Sequence, residues 1–264
     1  MTGRREIEIL YEDDFMIVID KPCGLLTMST GREGEITAYS ILTDYVRHGT
    51  RQKKSRGKRD RERIFIVHRL DRDTSGAIVF AKDPETKYAL QDSWNETVLE
   101  RKYVAVLEGV PEIPEGTVES WLTDNPKSHK VSSCPYDNGG RYSVTHYRLL
   151  RPGTAERRPH SAHPERHMTQ TVRDTVAVTD SVAGKRNTGY ALVEFELETG
   201  RKNQIRVHAA EIGHPVAGDR KYGAATNPLH RLCLHARTLT LKHPVTGEIL
   251  SFDTGIPRSF LKII

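Results

Sequence analysis

The sequence predicts a mixed α/β fold of the α+β kind: a single domain with a mostly antiparallel central sheet flanked by helices. Three observations carry that prediction. Apolar, β-branched runs recur at Phe15–Ile19, Ala77–Lys82 and Lys102–Gly109, as buried strands require. Residues 117–150 alternate in short pieces around Asn138-Gly139-Gly140, a strong hairpin signal. Helical spacing is confined to a few stretches, and no internal repeat or linker separates two cores. A chain of 264 residues has room for one large domain or two small ones, and one domain over 1–264 is the expectation.

Taken in order, residues 7–20 suggest a strand, a turn at Glu12-Asp13-Asp14 and a buried strand, which Lys21-Pro22-Cys23-Gly24 breaks. Residues 37–48 have helical spacing. Ala38, Ile41, Leu42, Tyr45 and Val46 share a face, and Thr37 is placed to cap the N-terminus. The segment 47–63 follows, with no periodicity and with Gly49 and Gly57, so a mobile loop is expected. Order returns at Ile64–Val67, and a polar loop then leads to the strand at 77–82. Residues 84–98 look helical, with Tyr88, Leu90, Trp94 and Val98 partly on one face. Residues 151–188 are rich in Pro, Gly, His, Thr and Arg and are expected to be a flexible insertion between strands. An alternating strand at Tyr190–Leu197, a helix at Asn203–Ile212, and strands near Leu232–Leu241 and Ile249–Phe252 complete the chain.

Composition narrows the function classes. Apolar residues make up 36% and charged residues 28%, so a core is feasible beneath a strongly charged surface. No run approaches the roughly 18 apolar residues of a membrane span. The start, Met1-Thr2-Gly3-Arg4-Arg5, leads into a strand-like run and not a signal segment. A soluble, cytoplasmic, monomeric protein with no membrane partner is the expectation. Cys23, Cys134 and Cys233 are scattered and form neither a disulfide framework nor a metal pair. His163 and His167 have i, i+4 spacing, but Pro164 argues for a loop and no third ligand suggests itself, so no metal is expected. The net charge is only +5, yet 47–63 holds nine Lys and Arg against two acids, a local +7. Concentrated positive charge suits contact with phosphates, although a solvated loop would look the same.

Two polar segments stand out. Arg69 and Asp71 lie two apart in the loop before 77–82, and in strand geometry they would point the same way. Thr74 and Ser75 can bond local backbone groups, and Gly76 permits a tight turn. The second segment, Gly200-Arg201-Lys202-Asn203-Gln204-Ile205-Arg206-Val207-His208, gathers basic and amide side chains around a helix start, where anions are favoured. Neither segment names a reaction by itself.

Together they resemble a known family. His68-Arg69-Leu70-Asp71-Arg72-Asp73-Thr74-Ser75-Gly76 looks like the signature of the RluA-type RNA pseudouridine synthases. Lys21-Pro22-Cys23-Gly24 resembles the family's first motif, Lys102-Tyr103-Val104-Ala105 its tyrosine motif, and Thr199-Gly200-Arg201 through His208 its third. Gly213–Asp219, Tyr222-Gly223 and Leu234-His235-Ala236 follow in the expected order. Several ordered motifs over about residues 10 to 260 are far more specific than one pattern.

The resemblance implies a pseudouridine synthase fold and an isomerase that converts uridine to pseudouridine in structured RNA, ribosomal RNA before transfer RNA. It implies Asp71 as the catalytic aspartate. Two routes are open to its carboxylate: attack on the anomeric carbon, or removal of the ribose 2′ proton. Arg206 matches the arginine paired with that aspartate, Tyr103 the tyrosine against the target base, and Ile205 an apolar contact on the base's other side. The uridine must leave its stack, and Arg69 matches a residue that fills the vacated space. Thr74 and Gln204 are expected near the RNA. No cofactor is needed, because the isomerisation is redox-neutral.

Departures from the pattern matter too. Positions 202 and 203 are Lys and Asn where relatives often carry Thr and His. No small N-terminal RNA-binding domain is expected before the first motif, so the catalytic domain is expected to supply the RNA affinity. The basic loop is expected to do so through Arg51, Lys53, Lys54, Arg56, Lys58 and Arg59. A binding module with lost catalysis is the rival reading, against which the intact Asp71, Tyr103 and Arg206 set stands. A phosphotransferase or hydrolase lacks support: there is no G-x-x-x-x-G-K-[ST] loop, G-x-S-x-G elbow or H-E-x-x-H helix.

Overall fold

The computed structural model describes residues 7–52, 63–153 and 189–264. Its strands are β1 (Glu8–Glu12), β2 (Met16–Lys21), β3 (Phe65–Ile66), β4 (Ser75–Ala81), β5 (Val98–Glu108) and β6 (Glu115–Asp124). They continue with β7 (Val131–Cys134), β8 (Arg141–Pro152), β9 (Tyr190–Leu197), β10 (Leu234–Lys242) and β11 (Ile249–Asp253). The helices are α1 (Ala38–Gln52), α2 (Pro84–Asp92), α3 (Trp94–Thr97), α4 (Gln204–Glu211) and α5 (Arg258–Leu261). One sheet runs β1-β2-β4-β10-β5-β9-β8-β6-β7, with β11 on β10 and β3 on β4. Every pairing is antiparallel except β10 with β4. The α+β class with a mostly antiparallel sheet is therefore correct.

Burial explains why the central strands were readable. All seven residues of β4 are buried. Ile78 and Phe80 pack toward Ala38, Leu42 and Val46 of α1, while Ala77, Val79 and Ala81 pack with Leu90 of α2. A strand covered on both faces reads as an unbroken apolar run. β9 is likewise buried from Ala191 to Phe195, although its sequence alternates.

Local chemistry sets the helix boundaries. Thr37 caps α1 as expected: its hydroxyl accepts the Ser40 N–H at 3.0 Å, and the Ser40 hydroxyl accepts the Thr37 N–H at 2.9 Å. Asp83 caps α2 through the Thr86 N–H at 2.8 Å, with Pro84 in the first turn. Three expectations need correction. α1 continues to Gln52, so the basic segment begins as helix and not as loop. The helix expected over 84–98 breaks at Ser93, and Val98 opens β5. Tyr45 and Tyr88 are exposed; the Tyr45 hydroxyl bonds Glu12. Of the expected insertion, Arg151 and Pro152 end β8, and residues 154–188, with His163 and His167, lie outside the described residues. Among the described residues no helix is long and apolar enough to cross a membrane.

Candidate active site

The site begins in the irregular stretch that links β3 to β4. Its exit is fixed by a close backbone approach. Gly76 has φ +118°, and a Cβ there would lie 2.1 Å from the Ala236 carbonyl oxygen. Glycine is needed for this approach to β10, and not for the tight turn that its neighbours suggested. Ser75 is tied to the same strand. Its hydroxyl accepts from Arg231 at 2.8 Å and pairs with His235 Nδ1 at 2.8 Å, while His235 Nε2 meets the Thr254 hydroxyl at 2.8 Å. With Arg231 donating to it, Ser75 donates to Nδ1, and Nε2–H faces Thr254. Burial pulls the His235 pKa down to about 4, so the ring is neutral at pH 7.

The loop is clamped from the other side by residues 21–27. Lys21 is fully buried, and its ammonium donates to the carbonyls of Leu25 (2.7 Å), Pro22 (3.1 Å) and Arg72 (3.1 Å). Burial pulls its pKa down to about 8, against the field of nearby Cys23, Asp73 and Asp71. The Thr27 hydroxyl donates to the Leu70 carbonyl and accepts the Leu70 N–H. The Gly24 N–H reaches the Arg72 carbonyl at 2.9 Å. Thr74, itself buried, donates its N–H to the Asp71 carbonyl at 3.2 Å. Asp71 thus projects from a segment held at both of its neighbours.

α4 brings the second half. Gln204 is buried, and its oxygen accepts from the Thr199 hydroxyl and the Arg201 N–H, both at 2.9 Å. Its nitrogen donates to the Val144 carbonyl and the Thr145 hydroxyl. Asn203 sits at φ +56°, a left-handed conformation that asparagine tolerates better than most residues. That turn spends its side chain on Arg206 (3.1 Å) and the Tyr222 hydroxyl (2.9 Å) and not on a cap.

Arg206 joins the two halves. Its Nε and Nη2 bond the two oxygens of Asp219 at 2.6 and 2.8 Å, and its Nη1 reaches Asp71 Oδ2 at 3.0 Å. The Tyr222 ring lies 5.0 Å from the guanidinium carbon. Asp219 is 1% exposed, whereas Asp71 is 34% exposed. Burial works against the Arg206 charge, but Asp219 and then Asp71 outweigh it and hold its pKa above the usual arginine value. Tyr103 packs with Ile205 in the same core cluster. Burial raises the Tyr103 pKa, with Arg101 opposing and Asp71 reinforcing, so the phenol is neutral near pH 7.

Asp71, Tyr103, Arg206, Arg69, Thr74, Ile205 and Gln204 all line one cleft of about 650 Å³. Arg69 is exposed there, as its proposed contact with RNA requires. Further along the wall His68, Trp94 and Arg101 stack together, and His68 Nε2 accepts the Val79 N–H at 3.2 Å. A larger hollow of about 920 Å³, near Glu108–Ile113 and Ile212–Pro215, holds none of the expected residues. Chemistry, not volume, identifies the site.

Some expectations change. Gln204, expected near the RNA, has both ends of its amide engaged within the protein, which makes it a support for α4. Arg51 lies in the last turn of α1, and Lys53, Lys54, Arg56, Lys58 and Arg59 lie outside the described residues. Asp219, Asn203, Tyr222 and Lys21 stand in or beside the family motifs, but from sequence none of them was assigned a role in the site. Asp219 carried a signal, since it closes the Gly213–Asp219 motif. Among the described residues no cluster of three or more His, Cys, Asp or Glu could hold a metal ion.

The family model for RNA pseudouridylate synthase matches residues 15–211. An RNA pseudouridine synthase of Bacillus subtilis is 33% identical over 257 residues, covering 96% of this chain and 69% of the relative. One from Synechocystis is 32% identical, covering 98% and 68%. The ribosomal large subunit pseudouridine synthase D of Nitrosomonas europaea is 31% identical, covering 98% and 64%. Human RNA pseudouridylate synthase domain containing 4 has the same fold, with TM-score 0.65 at 23% identity, covering 96% of this chain and 90% of that one. With the family model spanning most of the sequence and the motifs gathered around one cleft, the chain belongs to the RluA-type RNA pseudouridine synthases and is an isomerase.

Proposed function

We propose that this enzyme converts uridine to pseudouridine in large-subunit ribosomal RNA, with Asp71 as its catalytic residue. The observation that carries the mechanism is the 3.0 Å contact between Arg206 and Asp71, in a cleft also walled by Tyr103 and Ile205. Arg206 is already neutralised by buried Asp219, so it orients Asp71 while leaving that carboxylate negative character to act. The target uridine flips out of its stack, and Arg69 at the cleft surface fills the gap. Tyr103 and Ile205 hold the uracil between an aromatic face and an aliphatic one. Asp71 promotes cleavage of the bond between N1 and the ribose anomeric carbon, either by attacking that carbon or by taking the 2′ proton. The detached uracil turns, C5 bonds to the anomeric carbon, the C5 proton departs and N1 gains one. Atoms and electrons balance without a cofactor. Ribosomal RNA is favoured because relatives about 30% identical carry ribosomal large subunit names.

The test maps pseudouridines in total RNA from cells with the gene, without it, and with an Asp71→Asn copy. Loss of defined large-subunit sites, restored only by the wild-type gene, is expected. Loss confined to transfer RNA would overturn the substrate, and restoration by Asp71→Asn would overturn the mechanism.

A further inference from the structure

We propose that Lys130, Lys202 and Lys221 form a phosphate subsite at the mouth of the cleft, for the RNA backbone next to the target uridine. This rests on the reading of the chain as an enzyme acting on RNA. The three lysines come from separate parts of the sequence: the β6–β7 connection, the loop before α4, and the short 3-10 turn Arg220–Tyr222. They converge around one tyrosine. The Tyr222 hydroxyl accepts from the Val131 N–H at 3.0 Å and from Asn203 at 2.9 Å, which ties the hairpin to the start of α4. The ammonium groups of Lys130 and Lys221 lie 5.8 and 5.6 Å from the Tyr222 ring centre, on a ring that Arg206 also approaches at 5.0 Å. Tyr222 therefore links the subsite to the guanidinium that holds Asp71.

Two of the three ammonium groups are also held by hydrogen bonds. Lys221 donates to the His129 carbonyl at 2.5 Å, and His129 itself takes a left-handed φ of +54°. Lys202 lines the cleft and bonds both oxygens of Asp124 at 2.7 and 3.0 Å. Lys202 is paired with Asp124, and Asp219 and Asp71 are engaged with Arg206, so the three ammonium groups outnumber the one carboxylate paired with them. Burial lowers the Lys221 pKa, and the positive charges of Arg206 and Lys202 lower it further. A surplus of oriented like charge is relieved by an anion, and an RNA strand leaving the cleft carries one on every nucleotide.

The test compares wild type with Lys130→Gln/Lys202→Gln/Lys221→Gln, the matching triple Arg variant, and Lys242→Gln as a remote control. Binding of a labelled oligouridylate is titrated with salt, and kinetics are measured on a large-subunit ribosomal RNA transcript. The Gln triple variant is expected to lower the slope of log affinity against log salt by about 0.7, one phosphate on a single strand. Its KM should rise several-fold with kcat within about twofold, while the Arg variant and Lys242→Gln behave as wild type. An unchanged salt slope, or a fall in kcat at constant KM, would overturn the subsite. If wild type makes no pseudouridine in the transcript, the proposed substrate fails instead, and the salt slope still decides the subsite.

Discussion

The floor of the cleft and its rim are built on opposite electrostatic plans. On the floor, Asp71 and Asp219 share the hydrogen bonds of Arg206, and Lys21, Gln204 and His235 direct theirs into the protein. At the rim, Lys130, Lys202 and Lys221 outnumber Asp124, and Arg69 is exposed. A reaction centre has to hold its geometry whether or not RNA is present, so its polar groups are matched internally. A surface that recognises a polyanion must leave charge over for the partner. Lys202 and Asn203, the two departures from the family pattern, divide along this line: Asn203 turns inward to Arg206 and Lys202 faces the rim.

The largest expected effect tests how far the floor and its surroundings depend on neutral histidines. Burial pulls His68 down to about 3 and His208 and His235 to about 4, from an ordinary 6.5. Their folded pKa values are depressed, so the unfolded chain binds more protons between about pH 6.5 and 4. Stability is therefore full above pH 6.5 and falls as pH drops through that window, by about 2–3 kcal/mol for each histidine. Denaturant melts across pH 4–7 check this, and His235→Gln should flatten the curve. Stability independent of pH in that range would contradict neutral burial.

Next comes Asp219→Asn. It removes the buried partner of Arg206 and is expected to destabilise the fold by about 3 kcal/mol. Activity should fall with it, because Arg206 loses its orientation toward Asp71. Thermal melts and single-turnover rates measure the two effects, and an unaltered rate would show that Asp219 does not position Arg206. Gly76→Ala should cost about 2 kcal/mol, since its Cβ would meet the Ala236 carbonyl at 2.1 Å in a backbone conformation that suits glycine. The smallest effect is expected from the basic segment. Neutralising Arg51, Lys53, Lys54, Arg56, Lys58 and Arg59 should weaken RNA binding and reduce its salt dependence while leaving the single-turnover rate at saturating RNA intact. An unchanged salt slope would remove the basic segment from the interface.

How legible these features were follows from what each leaves in a sequence. β2 and β4 were readable because strands buried on both faces are unbroken apolar runs. The break at Ser93 was not, because a single half-buried turn residue separates α3 from α2 and Val98 fits either a helix face or a strand start. Asp71, Tyr103 and Arg206 were found because they stand in ordered motifs. Lys21 was passed over as a strand terminator, since the carbonyls that receive its ammonium leave no trace in residue type. Tyr222 and Lys130 meet only because a hairpin folds back toward α4, a contact between residues 92 positions apart that no local pattern reports.

The central claim is that one carboxylate of the matched floor does chemistry and the other holds it in place. Single-turnover conversion of uridine in a ribosomal RNA transcript by folded Asp71→Asn tests it directly. Pseudouridine formation should fall by at least about a thousandfold, with the melting temperature close to wild type because Asp71 is the exposed member of the pair. Conversion at the wild-type rate would contradict the account.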